Sequence, residues 1–487
     1  MCTSKSPRSH VPAAVLASCL LALGGGALTA CSPPDPVGTS VTNTTSDTSS
    51  ESGSTYGGQE IDLREVRVGD RTFPARGVVF AAHDGADNNE PIVILSHLRA
   101  PTCSDESFEY PCPAGTEQLR YDTGMAYLGR ALADQGFNVV IPDLTAVVHG
   151  GDVFTPYDQP AAWSAVVTPL LANVPGDPSR VGLVAHSRSA AFVDRAVADL
   201  GVDAVVSYGG FYDETSPAAH SDTVPVLELT GSLDSDVGLA APKWVSAHPD
   251  AGNIESHVIP GLGHMLVNEN MDDERIGCDV LDCPDAAAHK EIITAAALQW
   301  FRSALIDNVS SPQWETKYNS ASTRSLRSGS IFVGPDAFSG VKLCTVPEPM
   351  GRELPPSLCP DPDDGVLDAF YTTQLGVVSD SASVAFAQPL RLPELLVAPL
   401  ATAKEATALS VTLDLVMPDG SGAKKTVDIP AHHPALATLG DDTLGGTYLI
   451  SGIKLADATD DIDASTVITG LTLHSPKPFI LRGVVGR

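Results

Sequence analysis

Short apolar runs recur through the first part of the chain, each closed by small or polar residues and separated by segments that read as helices. Pro91 to His97, Phe137 to Leu144, Val181 to His186, Val202 to Tyr208, Val224 to Thr230 and Ser256 to Pro260 predict buried strands. Between and after them, Asp122 to Gln135, Ala161 to Val174 and Ala286 to Leu305 predict helices. Strands alternating with helices in this way imply a mostly parallel sheet covered on both faces, with a site at the C-terminal ends of its strands. Beyond about residue 308 the pattern changes. Leu409 to Val416, Thr426 to Ile429, Tyr448 to Ile453 and Thr466 to Leu473 are β-branched and apolar strands cut by Gly, Asp and Pro turns, an all-β reading best met by a sandwich.

One strand end carries chemistry. Val181-Gly-Leu-Val-Ala-His-Ser-Arg-Ser189 is an apolar run that stops at a serine flanked by small residues, as a strand turning sharply into a helix would. At such a turn the hydroxyl of Ser187 projects above the sheet edge, and the N–H of Arg188 can face an oxyanion. The glycines usual around such a serine are replaced by Ala185 and Ser189. Two later strands end comparably: one runs into Gly231-Ser232-Leu233-Asp234, the other into Gly261-Leu262-Gly263-His264. Ser187, Asp234 and His264 therefore follow in the order serine, acid, histidine, at spacings of 47 and 30 residues. A serine hydroxyl is a poor nucleophile at neutral pH, so it needs a base to take its proton and an acid to hold that base in the right tautomer. Asp236 competes with Asp234 for the acid role.

With this order the segment from about 60 to 306 resembles the α/β-hydrolase superfamily, in particular its bacterial esterase branch with dienelactone hydrolase-like, chlorophyllase-like and polyester-hydrolase-like members. The resemblance implies an acyl-enzyme mechanism with Ser187, His264 and Asp234 as its triad and no metal or organic cofactor. It also implies a second oxyanion donor just after the first helix-preceding strand. The family usually has His-Gly there, whereas this chain has His97, Leu98 and Arg99, so the donor is the N–H of Leu98 or Arg99 beside that of Arg188. His97, Phe108, Tyr110 and Met265 are the expected pocket contacts.

The N-terminus points to the compartment. Lys5 and Arg8 precede an apolar stretch from Val11 to Leu28 that ends in Leu28-Thr29-Ala30-Cys31, which resembles a bacterial lipoprotein leader. Residues 1–30 would be removed, Cys31 would carry the lipid, and Ser32 favours the outer membrane or cell surface over inner-membrane retention. Residues 31–58, rich in Ser, Thr, Pro, Gly and Asp, read as a flexible tether. A catalytic domain over 59–308 and a β-rich domain over 309–487 complete the expected organisation.

The remaining cysteines fall in three close pairs, Cys103 with Cys112, Cys278 with Cys283, and Cys344 with Cys359. In an exported chain these read as local disulfides among fifteen possible connectivities, with metal binding as the competing view. Charge sets a further bound. Without Lys5 and Arg8 there remain 27 basic against 60 acidic residues, so nucleic acid is excluded as a partner. Acidic residues crowd the loop after His264, where Glu269, Asp272, Asp273, Glu274, Asp279, Asp282 and Asp285 face Arg275 and Lys290. The acids at 361–368 and 457–463 have only a partial calcium-loop register. The expected activity is hydrolysis of a small-molecule or polymeric carboxylic ester. The alternatives are a catalytically weak hydrolase fold used for binding, or a surface or carbohydrate-binding protein acting through its C-terminal domain.

Overall fold

The computed structural model describes residues 57–82, 89–149, 157–211, 224–237, 240–247, 253–275, 278, 283–318, 320–324, 331–348, 371–391, 393–399, 408–436, 451–455 and 465–486. The leader, Cys31, the tether, Cys359 and both acidic runs of the C-terminal part lie outside them.

The first layer system is a nine-stranded mixed sheet. Its strands are β1 (Gln59–Val68), β2 (Arg71–Phe80), β3 (Pro91–Ser96), β4 (Asn138–Pro142), β5 (Asp177–His186), β6 (Val202–Tyr208), β7 (Val226–Gly231), β8 (Ile254–Ile259) and β9 (Ala321–Arg324). They lie in the order β1-β2-β4-β3-β5-β6-β7-β8-β9. From β4 to β8 every pairing is parallel, while β1, β2 and β9 add antiparallel edges.

The helices are α1 (Ala126–Ala133), α2 (Gln159–Leu171), α3 (Val193–Leu200), α4 (Ala240–Ala247) and α5 (Ala286–Phe301). Strand side chains alternate between the two faces and so divide the core in two. Ile92, Ile94, Leu183 and Val205 pack with Trp163 and Val167 of α2, Val193 of α3 and Trp244 of α4. Val93, Leu95, Val184 and Val206 pack with Leu128 of α1 and Ile293 and Trp300 of α5. This two-faced burial is why the central strands read as mostly apolar runs.

Local chemistry sets the helix ends. Asp158 and Asp285 cap α2 and α5, their carboxylates accepting from the N–H of Ala161 and Ala288 at 3.0 and 2.9 Å. The helix expected from Asp122 begins instead as a 3₁₀ turn over Thr123–Met125. Asp122 makes no cap because both its oxygens are held by Arg120, at 2.8 and 2.5 Å.

The C-terminal part forms a second, antiparallel nine-stranded sheet. It comprises β10 (Ile331–Val333), β11 (Ser339–Glu348), β12 (Tyr371–Leu390), β13 (Glu394–Pro399), β14 (Leu409–Val416), β15 (Gly422–Ile429), β16 (Ser451–Lys454), β17 (Val467–His474) and β18 (Phe479–Gly486). The sandwich expectation changes in one respect. The twenty-residue β12 pairs with β11 and β18 near its start and with β17 near its end, so one curled sheet wraps around a shared core instead of two sheets facing each other. Leu413 and Leu471 from one half meet Leu395, Leu481 and Val484 from the other in that core.

The first sheet also takes in a strand beyond residue 308. Residues 321–324 pair with β8 and belong to the first sheet, a strand that Ala-Ser-Thr-Arg does not announce by pattern. The two sheets meet beside this edge, where Ser322 Oγ donates to the Gly452 carbonyl at 3.3 Å and Lys454 Nζ lies 3.9 Å from the buried Glu255.

Candidate active site

Ser187 follows the last residue of β5 and opens a 3₁₀ turn, Ser187–Phe192, that leads into α3. Its φ is +58°, in the left-handed region, which costs a non-glycine residue about 1–2 kcal/mol. A strained serine at the C-terminal end of a central parallel strand is what the pattern around residue 187 predicts.

Ser189, standing where a glycine is usual, is not a neutral replacement. A buried chain of hydrogen bonds runs from Trp163 Nε1 to Ser96 Oγ at 2.9 Å, from Ser96 Oγ to Ser189 Oγ at 2.8 Å, and from Ser189 Oγ to the His97 carbonyl at 2.6 Å. Every donor in it is used once and points one way. The turn after β5 is thereby tied to the 97–99 loop after β3. Nothing in the sequence pattern distinguishes these serines from others, because the tie exists only once β3 and β5 are neighbours.

His264 and Asp234 come together in the turns after β8 and β7. His264 Nδ1 lies 2.7 Å from Asp234 Oδ2, and both side chains are fully buried. The other carboxylate oxygen, Asp234 Oδ1, accepts from the N–H of Asp236 and of Val237 at 3.1 and 3.0 Å, which fixes the acid in place. Asp236 lies on the opposite side of the ring, 3.5 Å from His264 Nε2, with its side chain 47% exposed. Of the two competing acids, it is Asp234 that bonds Nδ1. His264 Nε2 is buried and has no hydrogen-bond partner among the described residues.

Several residues that sequence reasoning passed over build the seat of this pair. Glu274 accepts from the N–H of His264 through one oxygen and from that of Met265 through the other, the latter at 3.1 Å. His289 Nε2 accepts from the Gly263 N–H at 2.9 Å while its Nδ1 donates to the Asp285 carbonyl at 2.8 Å, so this histidine is neutral, and burial lowers its pKa. Tyr208 donates to the Gly263 carbonyl at 2.7 Å. Gly209, at the end of β6 with φ +54°, lies against the pair so closely that a Cβ there would stand 2.6 Å from His264 Nδ1. A Tyr-Gly-Gly strand end was the available signal, since glycine in such a place marks a close approach.

The electrostatics favour a basic imidazole. Burial pushes the His264 pKa down, but the hydrogen bond and charge of Asp234, with the charges of Asp236 and Glu274, raise it above its ordinary value. Neighbouring His186, whose Nε2 donates to the His264 carbonyl at 3.0 Å, is driven well below that value by burial and by His264 itself. A reaction that needs neutral His264 should therefore have its acid limb above pH 6.5, losing activity as pH falls through the raised pKa. Replacing Asp236 by asparagine removes one of the charges that raise it, and the limb should move to lower pH. A kcat/KM profile between pH 5 and 9 measures both, and an unmoved limb in the variant would contradict the assignment.

The surroundings rest on three loops. Disulfides Cys103–Cys112 and Cys278–Cys283 close the loops after β3 and after β8, as expected. Cys344 lies on β11, and its expected partner Cys359 is outside the described residues. Leu98 is buried with Ala100 and Tyr121, and Met265 packs against them. The guanidinium of Arg99 lies 4.4 Å over the Phe108 ring, and that of Arg188 lies 4.4 Å over Phe211.

Two expected pocket residues have other surroundings. His97 is fully buried, with Nε2 accepting from the Leu144 N–H at 2.8 Å and Nδ1 facing the Leu98 carbonyl at 2.8 Å, so it braces the loop instead of lining a surface. Tyr110 is half-buried against the core on the α2 side of the sheet, its ring 5.6 Å from that of His149. The acidic rim is also partly spoken for. Glu269 pairs with Lys290 and Asp273 with Arg275, while Arg275 also donates to the carbonyls of Gly261 and Pro284.

Among the described residues no cluster of three or more His, Cys, Asp or Glu is arranged to hold a metal ion, and no helix is long and apolar enough to cross a membrane. A scan against models of known protein families finds no match, and a search of curated proteins finds no significantly similar relative.

Proposed function

We propose that this chain is an exported, lipid-anchored serine hydrolase of the α/β-hydrolase superfamily that cleaves carboxylic esters through an acyl-enzyme. The observation that carries the reading is the His264–Asp234 bond, formed between two turns beyond strand ends, with an unpartnered Nε2 and a strained serine at the end of β5. The parallel succession β4-β3-β5-β6-β7-β8 with helices on both faces supports it further.

In this reading Ser187 Oγ attacks the ester carbonyl carbon as His264 Nε2 takes its proton, and Asp234 stabilises the imidazolium that forms. The N–H of Arg188 and that of Leu98 or Arg99 hold the oxyanion, each contributing about 3–4 kcal/mol in the transition state. The C–O bond to the leaving alcohol then breaks as Nε2–H returns the proton to that oxygen, leaving acyl-Ser187. Water repeats the sequence through the same base and releases the acid. The Trp163–Ser96–Ser189–His97 chain keeps the two halves of the oxyanion site in register. Cys31 would anchor the protein in the cell envelope, and residues 31–58 would tether the catalytic body to it.

Labelling with a fluorophosphonate serine probe tests the reading on protein lacking residues 1–30. The expected outcome is a single labelled serine, absent in Ser187→Ala and accompanied by hydrolysis of p-nitrophenyl esters. Folded wild-type protein that does not label would exclude an activated Ser187 and favour the binding-module alternative.

A further inference from the structure

On the reading above, His264 Nε2 delivers the proton to the departing alcohol, so whatever stands beside Nε2 stands beside the leaving group. Asp236 is that neighbour. Its Oδ2 lies 3.5 Å from Nε2, the side chain is about half exposed, and its only ion-pair partner among the described residues is His264. Its position is fixed from below, because Asp234 Oδ1 accepts from the Asp236 N–H. The nitrogen it faces is buried and lacks a hydrogen-bond partner among the described residues, whereas the carboxylate reaches solvent and is the exposed charge beside that nitrogen.

The arginines adjoining the site are on other segments. Arg188 follows the serine and Arg99 is on the loop after β3, each stacked on an aromatic ring. Of the candidate oxyanion donors, Arg188 and Arg99 belong to cationic residues and Leu98 does not, whereas the base side carries Asp236, the charge of Arg275 beneath the His264 turn being paired with Asp273. An ester seated with its carbonyl oxygen towards Arg188 and its alcohol towards His264 thus spans from positive to negative surroundings.

We propose that Asp236 is a specificity-determining residue that selects esters whose alcohol part carries a positive charge, such as an ammonium group, and disfavours anionic alcohols. A carboxylate in partial contact with solvent attracts a cation at about 4 Å in water strongly enough to change kcat/KM roughly fivefold. A cation is matched there without desolvating a second buried charge, and aliphatic neutral alcohols gain nothing from the site.

The experiment compares two esters of the same acid, acetylcholine and its uncharged isostere 3,3-dimethylbutyl acetate, on wild type and Asp236→Asn. Expected is a preference for the choline ester of about fivefold or more in wild type, lost in the variant and weakened by salt. Taking the ratio of the two esters on each protein cancels any change in His264 basicity, which moves both rates alike. Asp236→Glu, which keeps the charge, should retain part of the preference. Equal ratios in wild type and Asp236→Asn would overturn the inference and leave Asp236 as a partner of His264 alone. The two readings fail separately: a protein that labels with fluorophosphonate and hydrolyses both esters without discrimination keeps the hydrolase assignment, whereas one that neither labels nor hydrolyses loses both.

Discussion

Ser187→Ala is expected to lower ester turnover by a factor on the order of 10⁶, and Asp234→Asn by about 10⁴. The two figures differ for a physical reason. Alanine removes the atom that forms the acyl bond, whereas asparagine keeps the volume and a bond to the ring but reverses the demand on Nδ1. The carboxylate accepts a hydrogen bond from Nδ1–H, which keeps the proton on Nδ1 and leaves Nε2 free as the base. An amide that donates to Nδ1 would put the proton on Nε2, the wrong tautomer for taking one from Ser187. Asp234 Oδ1 also accepts two backbone N–H groups, from Asp236 and Val237, so the asparagine has a strong reason to turn its NH₂ towards the imidazole. Steady-state hydrolysis with burst-phase analysis measures both variants. Loss of less than tenfold in Asp234→Asn would reassign the acid, and thermal unfolding checks that neither variant has lost its fold.

The second large effect is expected at a residue with no chemistry of its own. Gly209→Ala would put a methyl group 2.6 Å from His264 Nδ1, 2.8 Å from its Cε1 and 3.1 Å from Asp234 Oδ2. Contacts under 3 Å with two atoms of a buried ring cannot be absorbed by a flexible chain end, so the imidazole or the strand must shift. The left-handed φ at this residue adds about 1–2 kcal/mol against alanine. A displacement of about 1 Å in a reacting group costs roughly 10²-fold, so kcat is expected to fall by that factor or more with a smaller change in KM. The rate of fluorophosphonate labelling should fall in parallel, since the same base activates the serine. An alanine variant with wild-type kcat would mean that the ring tolerates displacement and that the pair is not preorganised.

Both effects bear on how much of this protein can be read from its chain. The central strands were legible because each is buried on both faces. Val202–Tyr208 and Leu409–Val416 agree with the pattern to the residue, one as a mostly apolar run broken by Asp203 and Ser207 and the other by alternation. Residues 321–324 and the long β12 were not legible, because their pairing depends on neighbours far away in sequence. The local disulfides Cys103–Cys112 and Cys278–Cys283 were legible from proximity along the chain alone.

The candidate site divides in the same way. The order of Ser187, Asp234 and His264 at three strand ends is a property of the sequence, because turns after successive strands of a parallel sheet collect at one edge. The sequence by itself thus determined which residues are carried to that edge. The spacing after Gly231 already favoured Asp234 over Asp236, but only the tertiary structure shows that the two acids reach opposite nitrogens of one ring, Asp234 at Nδ1 and Asp236 at Nε2. It also turned Ser189 from a departure into a tie, and made Gly209, Glu274 and His289 the seat of the pair. These residues act by distance and direction between groups 9 to 93 positions apart or by a missing side chain, and neither quantity is encoded in local pattern.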